Sequence, residues 1–321
     1  MQKRIGVIGT FIRDTIITLD SRTVESIGGL YHTMAYLACL VEANTFVQPL
    51  CHVGDDFYET VRDALKRLST NILFDGLLRV PQPNTQVTLT YRSRETRDEV
   101  TSATMPPITA AEIATAAACD AVLINLISGD DVTLAALADL RKSRPSPLIY
   151  LDLHSLALGI DATGKRYYRA IPDWREWLAA CHILQVNEGE AATLAGCQEQ
   201  CTREELLSFG KELAAEPVTA CHITLGSNGS LLFYRDGRDV RYEHCPPYAV
   251  PQVADIIGCG DAFGAAFLAH FLRKQDFSAA THFANKVAGL NCTFMGSLTP
   301  EIFQKVVKPQ LERQNDPGQN Y

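Results

Sequence analysis

Excess basic charge, an export signal and a membrane-length apolar run are all missing from this 321-residue chain. Lys and Arg number 29 against 37 Asp and Glu, a formal charge of -8. A surface for nucleic acid or anionic lipid needs clustered cations to displace counterions, so the expected partner is a small molecule, with no nucleic acid and no membrane. No stretch approaches the roughly 18 uninterrupted apolar residues of a spanning helix. The opening Met1-Gln2-Lys3-Arg4-Ile5-Gly6-Val7-Ile8-Gly9 runs straight into a strand-like segment. It has neither the long apolar core nor the small-residue cleavage site of a secretory leader, which makes a cytoplasmic location the expectation. No CxxC occurs among the ten cysteines, and the closest pair, Cys197 and Cys201, has no His at a ligand-like spacing, which argues against structural zinc. Cys39, Cys119, Cys181, Cys221 and Cys292 lie inside apolar runs, where a thiol behaves as a small hydrophobe. Free cysteines in a reducing compartment are expected.

What is present suits a large core: 46% of the residues are hydrophobic and 21% charged. Short apolar runs ending in polar or Gly residues read as strands at 4–10, 45–51, 121–126, 148–152, 183–186 and 221–225. Helical patterns lie between them, at 31–40, 56–68, 109–117, 131–142, 172–179, 188–195 and 202–215. This alternation is that of βα units around a mostly parallel sheet buried on both faces. Two stretches break the rhythm, about 15–27 and 85–101, where Val87-Thr88-Leu89-Thr90-Tyr91-Arg92 alternates as a half-exposed strand does. They are expected to pair as a small flap on a single domain over 1–313, followed by a polar tail, 314–321.

The segment with most chemistry is Asp255-Ile256-Ile257-Gly258-Cys259-Gly260-Asp261, which runs into a helix of small and apolar residues. Gly258-Cys259-Gly260 then lies at a helix N-terminus, where free amides and the dipole favour an anion. Asp261, in the first turn, stands where it can take a proton from an attacking hydroxyl. These seven residues alone also fit a glycine turn followed by an ordinary N-terminal helix acid.

Taken with its neighbours, the segment resembles the C-terminal signature D-T-x-G-A-G-D of the ribokinase-like (PfkB) carbohydrate kinases, with Ile256 for Thr and Cys259 for Ala. Other landmarks follow in the family's order: Asp14 after the first strand, Gly28-Gly29, Val53-Gly54-Asp55-Asp56, Asn187-Glu188-Gly189-Glu190 and Thr224-Leu225-Gly226-Ser227-Asn228-Gly229. The resemblance spans residues 5 to 307. It implies a three-layer αβα fold with a central, mostly parallel sheet and a small β lid. It also implies an ATP-dependent kinase acting on a hydroxyl of a sugar, sugar derivative or nucleoside.

By the same resemblance, Asp261 is the base, and the amides of Gly258, Cys259 and Gly260 hold charge developing on the transferred group. Asn187 and Glu190 serve Mg2+ through water, Glu190 as the carboxylate, while as a bare sequence they equally make a helix cap and capping box. Thr224, Gly226, Ser227 and Gly229 approach the nucleotide, Asn285 the adenine side, and Asp255 a monovalent cation such as K+. Asp14, Gly28, Gly29, His32 and Thr33 form the acceptor side. There the chain departs from the family, because Thr33 stands where an Asn is usual and Tyr31 and His32 add bulk. Only 13 residues separate Asp14 from Gly28, so the lid is expected to be short and the protein a monomer or homodimer. Arg92, Arg94 and Arg97 read as a solvated strand face or as one Arg offered to an anionic substrate, and Asp152-Leu153-His154 as a strand end near the cleft. A different class remains open, a nucleotide-binding regulator that has lost catalysis.

Overall fold

The computed structural model describes residues 2–92, 97–197, 201–215 and 217–313. Its framework is a nine-stranded sheet formed by β1 (Lys3–Ile8), β4 (Thr45–Gly54), β5 (Leu77–Val80), β8 (Ala121–Asn125), β9 (Leu148–Asp152), β12 (Ile183–Asn187), β13 (Ala220–Thr224), β14 (Ser230–Asp236) and β15 (Asp239–Cys245). The order across it is β15-β14-β13-β12-β9-β8-β1-β4-β5. All pairs are parallel from β13 to β5, and the edge β14 and β15 are antiparallel. The central strands are buried on both faces because they are apolar at nearly every position, as in Ala121-Val122-Leu123-Ile124.

Two apolar clusters fill the two faces. One is covered by α1 (Leu30–Leu40), α2 (Tyr58–Leu68), α8 (Cys259–Lys274) and α9 (Phe277–Asn291), the other by α3 (Ala110–Ile113), α4 (Leu134–Lys142), α5 (Trp174–Ala179), α6 (Glu188–Ala195) and α7 (Arg203–Leu213). This is the expected three-layer αβα sandwich. No described helix is long and apolar enough to cross a membrane.

The two arrhythmic stretches do pair. β2 (Phe11–Ile17), β3 (Thr23–Gly29), β6 (Gln86–Tyr91) and β7 (Arg97–Thr101) form a separate four-stranded lid in the order β3-β2-β6-β7. The lid begins earlier than expected, at Phe11, so Asp14 and Gly28 belong to it. Its inner face, Ile12, Val87 and Leu89, packs with Ile127 into a third, small apolar cluster.

A hairpin absent from the sequence reading, β10 (Leu158–Ile160) with β11 (Arg166–Tyr168), rises beside the lid. Arg166 joins the two through Glu99 of β7, Nε to Oε1 at 3.0 Å. Arg92 of the basic cluster is paired with Asp98 at 2.7 Å and exposed, the solvated arrangement. Arg94, the Arg97 side chain and the tail 314–321 lie outside the described residues.

The cysteines require a correction. Cys197 and Cys201 are joined by a disulfide. Gly196 caps α6 in the left-handed conformation, and the two Cα atoms lie 6.0 Å apart, inside the bridging range. The other eight are free, and five of these are buried.

Candidate active site

The C-terminal edge of the parallel strands carries a row of polar residues. Asn125 ends β8 beside Asp152 of β9, Asp152 is registered with Gln185 of β12, and Asn187 is registered with Thr224 of β13. Strand C-termini are where open parallel sheets hold ligands. Below the lid this edge opens into a cavity of about 410 Å³. Its wall includes Asp14, Gly29 and His32 from the expected acceptor side, Asn187, Glu190 and Thr224 from the expected donor side, and Gly258, Cys259, Gly260 and Asp261.

α8 begins at the cavity. Gly258 adopts φ of 76°, and a Cβ there would lie 2.8 Å from His32 Nδ1, so both the turn and the close approach require glycine. The first intrahelical bond runs from Ala262 N to Gly258 O at 2.8 Å, and the amides of Cys259 to Asp261 stand at the positive end of a 16-residue helix. Asp261 is 9% exposed. Its Oδ1 accepts hydrogen bonds from Thr33 Oγ1 at 2.9 Å and Asn125 Nδ2 at 2.6 Å. Both donors load the same oxygen, Oδ1.

Thr33 therefore holds the acid and does not project as an independent sugar ligand. Asn125 was missed by the sequence reading. Its signal was a lone amide ending an otherwise apolar strand. Gln185 is a second such residue: it accepts from Tyr150 Oη at 2.6 Å and donates to Asp152 Oδ2 at 2.9 Å and Gly260 O at 3.2 Å, tying the helix start to the sheet.

On the acceptor side, a Cβ at Gly28 would lie 1.9 Å from Asp14 Oδ2, so the glycine makes room for that carboxylate. His32 is buried under Gly258, and burial lowers its pKa against the opposing pull of Asp261 and Asp255. Its Nδ1 and the Oδ1 of Asn125 have no partner among the described residues. Asp152 and His154 also line the cavity.

On the donor side, Asn187 and Glu190 make a full capping box: Asn187 Oδ1 accepts the Glu190 amide at 2.9 Å, and Glu190 Oε2 accepts the Asn187 amide at 2.8 Å. The cap and the cavity position coexist. Thr224 reaches the main cavity, but Ser227 borders a separate cavity of about 320 Å³ with His244 and Pro247, and Gly226 and Gly229 shape the turn beside it. The structure does not bring Asn285 into either. It accepts from Ser230 Oγ at 3.2 Å and donates to the carbonyls of Cys245 and Pro246, tying α9 to the end of β15. Asp255 pins two loops, accepting from Ile257 N at 3.0 Å and Gly296 N at 3.2 Å.

Five carboxyl groups line the main cavity, Asp14, Glu99, Asp152, Glu190 and Asp261, against one guanidinium, Arg166. Burial pushes Glu190 up to about 8. Asp152 is also raised, by burial first and then by the charges of Glu190 and Asp261. Carboxylates that oppose each other's ionisation in this way are short of positive charge.

Comparison with known proteins identifies the family and the fold. The pattern of the "pfkB family carbohydrate kinase" family matches residues 33–302. The chain belongs to that family. A ribokinase of Arabidopsis thaliana is 28% identical over 131 residues, a match spanning 38% of this chain and 31% of that relative. A sulfate complex of a pyrophosphate-dependent kinase in the ribokinase family has a TM-score of 0.75 at 20% identity, covering 94% of this chain and 100% of that one. Arabidopsis thaliana ribokinase complexed with ribose and ATP gives 0.73 at 18% identity over 92% and 95% of the two chains. Ribokinase from Giardia lamblia gives 0.72 at 18% identity, again over 92% and 95%. At these identities the structural likeness is one of fold, and this pfkB-family chain has the ribokinase-like fold throughout.

Proposed function

We propose that this pfkB-family phosphotransferase moves the γ-phosphoryl group of ATP to a hydroxyl of a sugar, sugar derivative or nucleoside. The observation that carries the reading is the constellation at the head of α8: Asp261 with one oxygen held by Thr33 and Asn125, beside the first-turn amides and across the cavity from Asp14. Asp14 orients the acceptor, and Asp261 Oδ2 takes the proton of the attacking hydroxyl. The amides of Gly258, Cys259 and Gly260 and the helix dipole stabilise charge gathering on the transferred oxygens.

The mutually opposed carboxylates support Mg2+ as cofactor, with Glu190 and Asn187 holding it through water. When bound, the ion supplies charge neutralisation to the phosphate oxygens. Asp255 would serve a monovalent cation such as K+ by fixing the loops on either side of it. The lid and the hairpin shield the cavity from water, and a cytoplasmic setting supplies the donor. The fully supported Asp261 speaks against a regulator that has lost catalysis.

The test is product formation from ATP, and in a parallel arm from pyrophosphate, across a panel of sugars and nucleosides, for wild type and Asp261→Asn. ATP-dependent turnover that falls by about 10² to 10⁴ in the variant is expected. Equal turnover by both proteins removes Asp261 from the base role, and turnover with pyrophosphate alone overturns the donor.

A further inference from the structure

Beside the anion loop lies a pair of thiols that the phosphotransfer reading leaves unused. Cys259 is the first residue of α8 and lines the cavity, and Cys292 caps the end of α9, 33 residues later. Their sulfurs are 3.2 Å apart, closer than two sulfurs rest without interacting, and both residues are partly exposed. The two helix ends are already bound together. Cys292 O accepts the amides of Ala254 at 2.7 Å and Asp255 at 3.3 Å. Asn291 Nδ2 donates to Ile257 O at 2.8 Å and to the Cys259 sulfur at 3.4 Å. Cys51, Cys119, Cys181, Cys221 and Cys245 are buried instead, where desolvation pushes the thiol pKa up and keeps it inert.

We propose that Cys259 and Cys292 form an oxidation site for small-molecule disulfides, and that closing it disables the anion loop. Cys292, partly exposed, is the first nucleophile in this scheme, with the Cys259 sulfur 3.2 Å away to resolve it. Its thiolate attacks one sulfur of the small disulfide, a new S–S bond forms as the old one breaks, and a small thiolate leaves. Cys259 gives up its proton and attacks the Cys292 sulfur of the mixed disulfide, expelling the second small thiolate. Two electrons and two protons pass to the oxidant, which departs as two thiols.

The product requires the sulfurs to close to about 2.05 Å, a movement of roughly 1 Å. Cys292 is held at the end of a 15-residue packed helix, whereas Cys259 is flanked by Gly258 and Gly260, so the movement falls on the loop that carries the catalytic amides. A displacement of about 1 Å at reacting groups lowers turnover by up to about 10²-fold. The loss of activity rests on the kinase reading, but the thiol chemistry does not.

The reduced protein is equilibrated in glutathione buffers of graded oxidised-to-reduced ratio, with alkylation, peptide mapping and turnover measured on the same samples. A peptide linking Cys259 to Cys292 should rise as turnover falls about 10- to 100-fold, and dithiothreitol should reverse both. Cys292→Ser should keep wild-type turnover when reduced and be insensitive to oxidised glutathione. The proposal is overturned by no linked peptide at any ratio, by a linked peptide with unchanged turnover, or by an equal loss in Cys292→Ser, which would point to Cys197 and Cys201. Absence of turnover in the fully reduced protein would instead sink the kinase reading, and the peptide map alone then decides the fate of the thiol pair.

Discussion

Replacing Glu190 by Gln should reverse the sign of its effect on stability between about pH 4 and about pH 9. Burial pushes the folded-state carboxyl up to about 8, whereas in the unfolded chain it titrates near 4.5. The native state therefore binds the extra proton across that window. The stability it contributes is fully present below 4.5 and is lost as pH rises through 8. At about 1.4 kcal/mol per unit of separation, ionising Glu190 inside the fold costs on the order of 5 kcal/mol. Glutamine never ionises and keeps the shape. Its oxygen can still accept the Asn187 amide, but its NH2 would face Asn187 Nδ2, which now donates to Glu190 Oε1 at 2.6 Å. Losing that bond costs about 1 kcal/mol at every pH. The variant should be about 1 kcal/mol less stable near pH 4 and about 3–4 kcal/mol more stable near pH 9, read as a shift in urea midpoint at unchanged m. A destabilisation of equal size at both ends would show that Glu190 is a helix cap and nothing more.

Asn125→Leu removes the 2.6 Å bond to Asp261 while filling the same volume. Turnover should fall about 10- to 100-fold with the KM for the donor unchanged, and the substitution should add nothing in an Asp261→Asn background. An equal loss in both backgrounds would mean that Asn125 acts elsewhere. Gly28→Ala puts a methyl group 1.9 Å from Asp14 Oδ2 and must displace that carboxylate. The KM for the acceptor should rise by about tenfold or more while that for the donor stays put; an unmoved acceptor KM would take Asp14 out of acceptor binding.

The layers of the fold were legible because buried parallel strands are apolar end to end. Ile183-Leu184-Gln185-Val186 needed no neighbour to be read as one, and Asn187 with Glu190 announced the helix behind it through capping chemistry. The same rule hid Asn125 and Gln185, since one amide does not break an apolar run and its importance appears only when Asp261 arrives 136 residues later. Thr33 was readable as a departure, but its partner was not, because a hydroxyl can bond to many groups and sequence does not say which is near. The β10–β11 hairpin escaped notice because Gly159 and the exposed Tyr167 and Tyr168 follow no clean alternation. Cys197 and Cys201 looked unconnected because a four-residue spacing alone does not say whether the chain between them folds back.

Asp14 sits on β2, a strand of the lid, and β2 leaves the main sheet through Gly9 and Thr10 alone. Thr10 is bolted down, its carbonyl taking the Leu30 amide at 2.9 Å and its hydroxyl donating to Asp131 at 2.6 Å, which fixes the point where the strand leaves the sheet. On the proposed reading, the residue that orients the acceptor is therefore part of the cover itself. Grip on the alcohol and exclusion of water would then be one mechanical coordinate, and a molecule that held Asp14 poorly would also leave the cavity open to water.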